Sequence, residues 1–137
     1  MKNLIIVIFT AFILVNCERC EDTLDEFVNN SGRDIEITSY KNNYPDIPYG
    51  TFSGRFSMVN GGSKRMTNTY CLPDTKTLDF VQLIGGDSIV IDFGDKKLFY
   101  STYNNLSPRN PYLLFRNNAN SLYFSYVLTE QDYLNAN

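Results

Sequence analysis

The chain has 137 residues, enough for one domain, with 12 Lys plus Arg, 15 Asp plus Glu and no His, which gives a formal net charge of −3. This charge balance excludes the clustered basic surface that nucleic-acid binding requires, and the lack of His excludes catalytic sites built on imidazole. Catalysis would have to rest on carboxylates or tyrosines, and the sequence marks no catalytic pair. We therefore expect a protein that is not an enzyme and uses no cofactor.

The chain begins with an export signal. One Lys precedes twelve residues, 4–15, that are apolar apart from Thr10. Twelve residues are too few for a transmembrane helix, which needs roughly 20, but they match the hydrophobic region of a secretory signal peptide, which has about 7–15. We expect residues 1–16 to be a signal peptide.

The apolar segment runs directly into Leu14-Val15-Asn16-Cys17, without the small-x-small cleavage site of ordinary secreted proteins. This run resembles a bacterial lipobox, in which Leu stands three residues before the Cys, although Asn16 replaces the usual Gly, Ala or Ser. The resemblance implies that Cys17 is lipidated, becomes the first mature residue, and anchors the exported protein to a bacterial membrane, which we expect to be the outer one. The alternative is a secreted protein without lipid, whose Cys17 pairs with another cysteine.

Five of the nine residues from 18 to 26 are acidic. Such a stretch directly after a lipidated cysteine is most simply a solvated spacer, so we expect residues 17–26 to form an acidic tether. The alternative is a sorting signal that sends the lipoprotein to the cell surface.

Cys20 and Cys71 form an even pair in an exported chain, where disulfides persist. They lie 51 residues apart, and a bridge over that separation would be worth about 4 kcal/mol in the chain-entropy model. Alternation places Cys71 on the outward face of its strand, within reach of a tether from the N-terminus. Two free thiols are the competing interpretation.

Residues 27–137 are predicted to form one all-β domain. Apolar and polar side chains alternate, as in half-buried strands, over most of residues 34–40, 51–59, 65–72, 88–93, 97–103 and 121–128, and residues 112–115 are predicted as a further short strand. Residues 77–84 are apolar on both faces, which predicts a central strand. Short strands at nearly regular spacing are typical of a sandwich or a barrel, and we expect an antiparallel β-sandwich, Ig-like or related, of about seven to eight strands.

Two local motifs predict how strands are connected or end. The run Asn60-Gly61-Gly62-Ser63 predicts a hairpin turn between the strands on either side of it. The run Thr129-Glu130-Gln131-Asp132 resembles a capping box, with Asp in place of the usual Glu, and predicts one closing helical turn.

Three aspartates, Asp87, Asp92 and Asp95, lie close together in the sequence. They lack the alternating carboxylates, central glycine and final Glu of an EF-hand loop. In addition, Asp87 and Asp95 fall in turns at opposite ends of a strand about 20 Å long. We interpret all three as polar turn residues and expect no metal site.

Tyrosine is the residue type here that best suits a binding role, because its ring offers apolar area with a polar tip. Tyr44 and Tyr49 lie in a proline-stiffened loop, and Tyr103 and Tyr112 flank the loop of residues 104–111. These four tyrosines are our candidate ligand contacts. The alternative is that they cap the rim of the sandwich core.

The whole chain resembles the small, uncharacterised all-β lipoproteins that are common in some Gram-negative bacteria. The runs that carry the resemblance, besides the lipobox and the acidic stretch, are residues 27–32, 34–37, 87–93, 108–111 and 126–133. The resemblance implies a location and a fold but no activity. We expect a membrane-anchored, non-enzymatic binding module that contacts a protein or another component of the cell envelope. The alternatives are a glycan-binding surface lipoprotein and, third, a periplasmic hydrolase or an inhibitor of one.

Overall fold

The computed structural model describes residues 20–41, 50–71, 83–103, 107–117 and 122–137. These residues form an all-β sandwich of two sheets, as predicted. The strands and helices are β1 (Cys20–Asn30), β2 (Ile35–Lys41), β3 (Thr51–Met58), β4 (Ser63–Cys71), β5 (Ser88–Asp92), β6 (Lys97–Ser101), α1 (Pro111–Asn117), β7 (Tyr123–Thr129) and α2 (Glu130–Leu134).

The two sheets have three and four strands. The strand order is β4-β1-β7 in the first sheet and β3-β2-β5-β6 in the second. Every pair is antiparallel except β1 with β7, which run parallel. Because β1 lies between β4 and β7, it supplies backbone hydrogen bonds on both of its edges.

The core lies between the sheets and comes from the alternate residues that point inward. Tyr100 of β6 and Tyr126 of β7 meet across the two layers, with ring centroids 6.5 Å apart. Each buried apolar side chain contributes roughly 1.5–3 kcal/mol to folding. Those with an exposed fraction of 2% or less are Phe27, Ile37, Leu83, Ile84, Ile89, Ile91, Tyr126 and Leu128.

The acidic segment from Cys20 to Glu26 is not a solvated spacer but the first half of strand β1. Asp25 is fully buried, and Glu26 is 7% exposed. The acidic side chains fit in a strand because neighbouring strands supply their partners: Arg65 of β4 and Tyr123 of β7 both bind Glu26. Of the predicted tether, residues 17–19 lie outside the described residues.

The turn after Met58 does not form a hairpin, because β3 and β4 belong to different sheets. The turn is held by the connection between β1 and β2. The Asn60 N–H donates to the Asp34 carboxylate at 2.9 Å, and the Gly61 N–H donates to the Asn29 carbonyl at 2.6 Å. These bonds make the turn a corner where the chain crosses from one sheet to the other.

Residues 112–115 were expected to be a strand, but they lie in helix α1. Asn110 starts the helix, since its side-chain oxygen accepts the Tyr112 N–H at 3.0 Å. Pro111 then occupies the first helical position, where proline has no hydrogen bond to lose. Of the predicted strand 77–84, only Leu83 and Ile84 are described; both are helical, and Gly85, with a φ of 90°, follows them.

The strands all run between two ends of the sandwich, which we call the Cys20 pole and the Asn30 pole. Three short connections, residues 31–34, 59–62 and 93–96, and helix α2 lie at the Asn30 pole. The longer connections, residues 42–50, 72–87 and 102–122, leave strands at the Cys20 pole. Among the described helices, none is long and apolar enough to cross a membrane.

Candidate interaction surfaces

The structure separates the tyrosines proposed as ligand contacts. Tyr44 and Tyr49 lie outside the described residues. Tyr103 is 54% exposed at the Cys20 pole, whereas Tyr112 is only 4% exposed. The Tyr112 hydroxyl donates to the Gly86 carbonyl at 2.9 Å, and burial raises the pKa of this phenol well above its usual value. Tyr112 is therefore a core residue rather than part of a surface that meets a ligand.

The aspartates of the β5–β6 region bind separate partners. Asp92 accepts the Gly94 N–H at 2.7 Å and pairs with the Lys97 ammonium at 2.9 Å. Asp95 accepts the Tyr133 hydroxyl at 2.8 Å. Throughout the described parts of the chain, no three His, Cys, Asp or Glu side chains gather closely enough to hold a metal ion.

The outer side of the three-stranded sheet is a mixed surface that we call the Glu26 face. Solvent reaches this face, since Tyr123 is 51% exposed and Val127 is 37% exposed. Its members are outward-pointing residues of the three strands, namely Asp22, Leu24, Glu26, Val28, Ser63, Arg65, Thr67, Thr69, Tyr123, Ser125 and Val127.

Glu26 lies at the centre of this face and is held by donors from both neighbouring strands. Its carboxylate accepts the Arg65 Nε–H at 2.5 Å and the Tyr123 hydroxyl at 2.9 Å. Ser125 Oγ lies 3.5 Å away. The hydrogen bond from Arg65 is the main cause of a lowered pKa at Glu26, against the opposing effect of burial. Glu26 is therefore an ionised carboxylate held in place by Arg, Tyr and Ser side chains.

Sequence reasoning missed Glu26 because it assigned residues 17–26 to a tether. The hydrophobic pattern carried no signal for β1, because Leu24, Glu26 and Val28 share one face while Thr23, Asp25, Phe27 and Asn29 share the other, so both faces mix polar and apolar residues.

A second polar cluster lies at the Asn30 pole, around the ring of Tyr133. The Arg33 guanidinium carbon is 4.0 Å from the ring centroid, and the Lys96 ammonium is 5.2 Å from it. The contacts join the connections 31–34 and 93–96 to helix α2. Because these contacts join the three elements, we assign this cluster a structural role at the Asn30 pole.

The start of β1 is covalently fixed. Cys20 is disulfide-bonded, and its Cα partner in the ladder between β1 and β4 is Cys71. Directly opposed residues of antiparallel strands have Cα atoms about 4.5–5.5 Å apart, which lies within the range that a disulfide spans.

Comparison of the chain with protein-family models, with curated proteins and with solved structures found no match.

Proposed function

We propose that this chain is an exported lipoprotein, anchored through Cys17, whose sandwich is a non-enzymatic module that binds a protein of the cell envelope. The leader and the lipobox-like run support the location. The observation that carries the binding role is the Glu26 face, on which exposed Tyr123 and Val127 lie on the same surface as a fixed carboxylate and its Arg partner.

The composition of the Glu26 face suits a protein partner. Protein interfaces are enriched in Tyr and Arg, and apolar area around a few fixed polar groups provides both affinity and register. Tyr123 and Val127 provide exposed apolar area on β7, while Arg65, with 65% of its side chain exposed, keeps unused donors beside Glu26. A partner with a carboxylate or a carbonyl opposite Arg65 would complete the arrangement.

The attachment of β1 keeps the Glu26 face close to the proposed anchor. Cys17 lies three residues before Cys20, and three residues span at most about 11 Å. Since β1 is the central strand of the sheet that carries the Glu26 face, the face stays near the lipid. This short attachment suits a protein that binds its partner close to the membrane.

Four of the described carboxyl groups are unsuited to act as a general acid. Glycoside hydrolysis by two carboxylates requires one general acid with a raised pKa. Glu26, Asp92, Asp95 and Asp132 each have a lowered pKa, because hydrogen-bond donors hold them as ionised acceptors.

Photo-crosslinking in the native envelope tests this function. A photoreactive phenylalanine at Val127 lies on the Glu26 face; at Ser57 it lies exposed on the outer side of the other sheet and serves as the control. We expect a discrete protein adduct from the Val127 position and none from Ser57. Equal adducts from both positions, or none from Val127, would contradict the proposal. Binding to a glycan array by the purified protein would instead favour the glycan-binding alternative.

A further inference from the structure

The two sides of the sandwich are closed differently. On one side, two residues outside the strands bond to the outer edge of β6: the Asn110 side chain donates to the Ser101 carbonyl at 2.8 Å, and the Asn137 backbone exchanges two hydrogen bonds with Lys97. On the opposite side, β3 and β4 are the last strands of their sheets. Within the described parts of the chain, no strand pairs with the outer edge of either one.

The hydrogen bonds of β1 determine which backbone groups of β4 point to its outer edge. The Asn29 N–H donates to the Gly62 carbonyl at 2.9 Å, on the β4 side, and the Leu24 N–H donates to the Leu122 carbonyl at 2.9 Å, on the β7 side. Because successive residues of a strand direct their backbone groups to opposite edges, the odd-numbered residues of β1 bond to β4 and the even-numbered ones to β7. By the β1–β4 register, the residues of β4 whose backbone N–H and C=O point outward are then Ser63, Arg65, Thr67 and Thr69.

The edge of β4 has few of the features that protect edge strands from pairing. Protected edges are short, bulged or interrupted by proline, or carry an inward-pointing charge. β4 spans nine residues without proline, and its ladder with β1 has no register shift. The inward-pointing Lys64, whose ammonium lies 3.8 Å from the Phe56 ring centroid, guards only the end of β4 at the Asn30 pole. The edge of β3, in contrast, is bulged opposite Ser39 and Tyr40. The β4 edge is therefore the better suited to receive a further strand.

The charges of β4 define the chemistry of that strand. Both charged side chains of β4, Lys64 and Arg65, are cationic. Arg65 binds Glu26 through Nε, and 65% of its side chain is exposed, which leaves the donors of its two terminal nitrogens for a carboxylate. Pairing of β4 with β4 of a second copy would instead bring two cationic strands together, which disfavours self-association.

We propose that an extended segment of the partner protein adds to the outer edge of β4 as a fourth strand of its sheet, with an Asp or Glu beside Arg65. This inference rests on the proposed function, since the added strand extends the Glu26 face. The backbone groups of Arg65, Thr67 and Thr69 supply the main-chain hydrogen bonds, as in other complexes formed by strand addition. Alternate side chains of the partner lie on the Glu26 face, and the others lie beside Met66, which is half-buried against the core.

Proline substitutions test the added strand. Proline has no N–H, and an edge strand tolerates it where that N–H faces solvent. Thr67→Pro and Thr69→Pro each remove one donor from the β4 edge. Ser57→Pro is the matched control on β3. Its N–H also points outward, because the Phe93 N–H donates to the Lys96 carbonyl at 2.9 Å, and alternation from there through β5 and β2 fixes the direction of β3.

The readout is the protein adduct formed in the native envelope by the full lipidated chain with photoreactive phenylalanine at Val127. We expect Thr67→Pro and Thr69→Pro to reduce the adduct several-fold and Ser57→Pro to leave it unchanged. Unfolding midpoints near that of the unsubstituted protein verify that the variants fold. An undiminished adduct in a folded β4 variant would overturn the added strand and leave the proposed function intact. The absence of an adduct even without proline would contradict the proposed function and the added strand with it.

Mapping the captured segment tests the chemistry of the partner without any proline. Photoreactive phenylalanine at Thr69 lies at the β4 edge, and mass spectrometry of the digested adduct identifies the segment that it captures. We expect a segment of another protein that contains Asp or Glu. A captured segment without an acidic residue, or an adduct between two copies of this chain, would overturn the proposal.

Discussion

Arg109 binds the buried carboxylate of Asp132 with two nitrogens, Nε at 3.1 Å and Nη2 at 2.7 Å. Asp132 is 1% exposed, whereas 41% of the Arg109 side chain is exposed. Nη2 also donates to the Val127 carbonyl at 2.6 Å. Through this one side chain, the segment before α1 is joined to α2 and to β7, and it closes the side of the sandwich between β6 and β7.

Arg109→Ala is expected to lower the free energy of unfolding by about 2–3 kcal/mol, because it leaves a buried carboxylate with fewer donors. This loss of free energy is at the low end of the range for buried ion pairs because Arg109 is partly exposed. Arg55→Ala is the control. Arg55 pairs with Glu36 at 3.4 Å on the surface, and its loss should cost less than about 1 kcal/mol. Urea denaturation measures both, and equal losses would contradict the assignment.

Asp132 also makes the stability depend on pH. Burial raises its pKa, but hydrogen bonds from Arg109 and Thr129 outweigh burial, so the folded pKa is lowered. The folded state therefore binds fewer protons than the unfolded state, and its advantage is present above the ordinary Asp pKa of about 3.9 and is lost as pH falls below it. Urea denaturation at several pH values from neutral to acidic should show that the free energy of unfolding falls less with acid for Asp132→Asn than for the unsubstituted protein. Identical profiles would contradict this.

Asn29 organises the Asn30 pole from a fully buried position. Its amide nitrogen donates to the carbonyls of Arg33, Met58 and Val59 at 2.8, 3.2 and 3.1 Å. Asn29→Ala should cost about 3 kcal/mol, since it leaves one buried and two partly buried carbonyls without their donor. The neighbouring Asn30 is exposed, and Asn30→Ala should change stability by no more than about 0.5 kcal/mol. Thermal or urea unfolding that ranks the two variants equally would contradict the role of Asn29.

Truncation distinguishes a structural β1 from a tether. A chain that begins at Cys20 retains all of β1 and should unfold cooperatively. A chain that begins at Phe27 lacks the part of β1 that pairs with residues 65–71 of β4 and with residues 123–125 of β7, and it should not fold. Circular dichroism with denaturant titration measures the difference. Cooperative unfolding of the shorter chain would restore the tether interpretation.

The disulfide of Cys20 is expected to join it to Cys71. Replacing Cys71 with Ser should abolish the mobility shift on reduction and lower the free energy of unfolding by about 4 kcal/mol in the chain-entropy model. Cys17→Ser, in a secreted form without lipid, should retain the shift. If Cys17→Ser abolishes the shift instead, then the bridge uses Cys17, as in the unlipidated alternative.

Some of the fold could be predicted because the signals are local. The capping box of Thr129 and Asp132 forms as expected, with the Thr129 N–H donating to the Asp132 carboxylate at 2.8 Å. Helix α1 was missed although Asn110-Pro111 is a start signal for a helix, since the short apolar run after it, residues 112–115, was interpreted as a strand. Of the candidate ligand contacts that the structure describes, Tyr103 is exposed as expected and Tyr112 is buried.

The sequence by itself determined the all-β class, because apolar and polar residues alternate over most of the strands, although not over β1. It also predicts export and lipidation, because targeting signals act on the unfolded chain. Only the tertiary structure decided which strands pair. The same Gly-rich turn serves a hairpin or a corner, and the acidic segment becomes a central strand only because Arg65 and Tyr123, distant in sequence, supply the partners of Glu26.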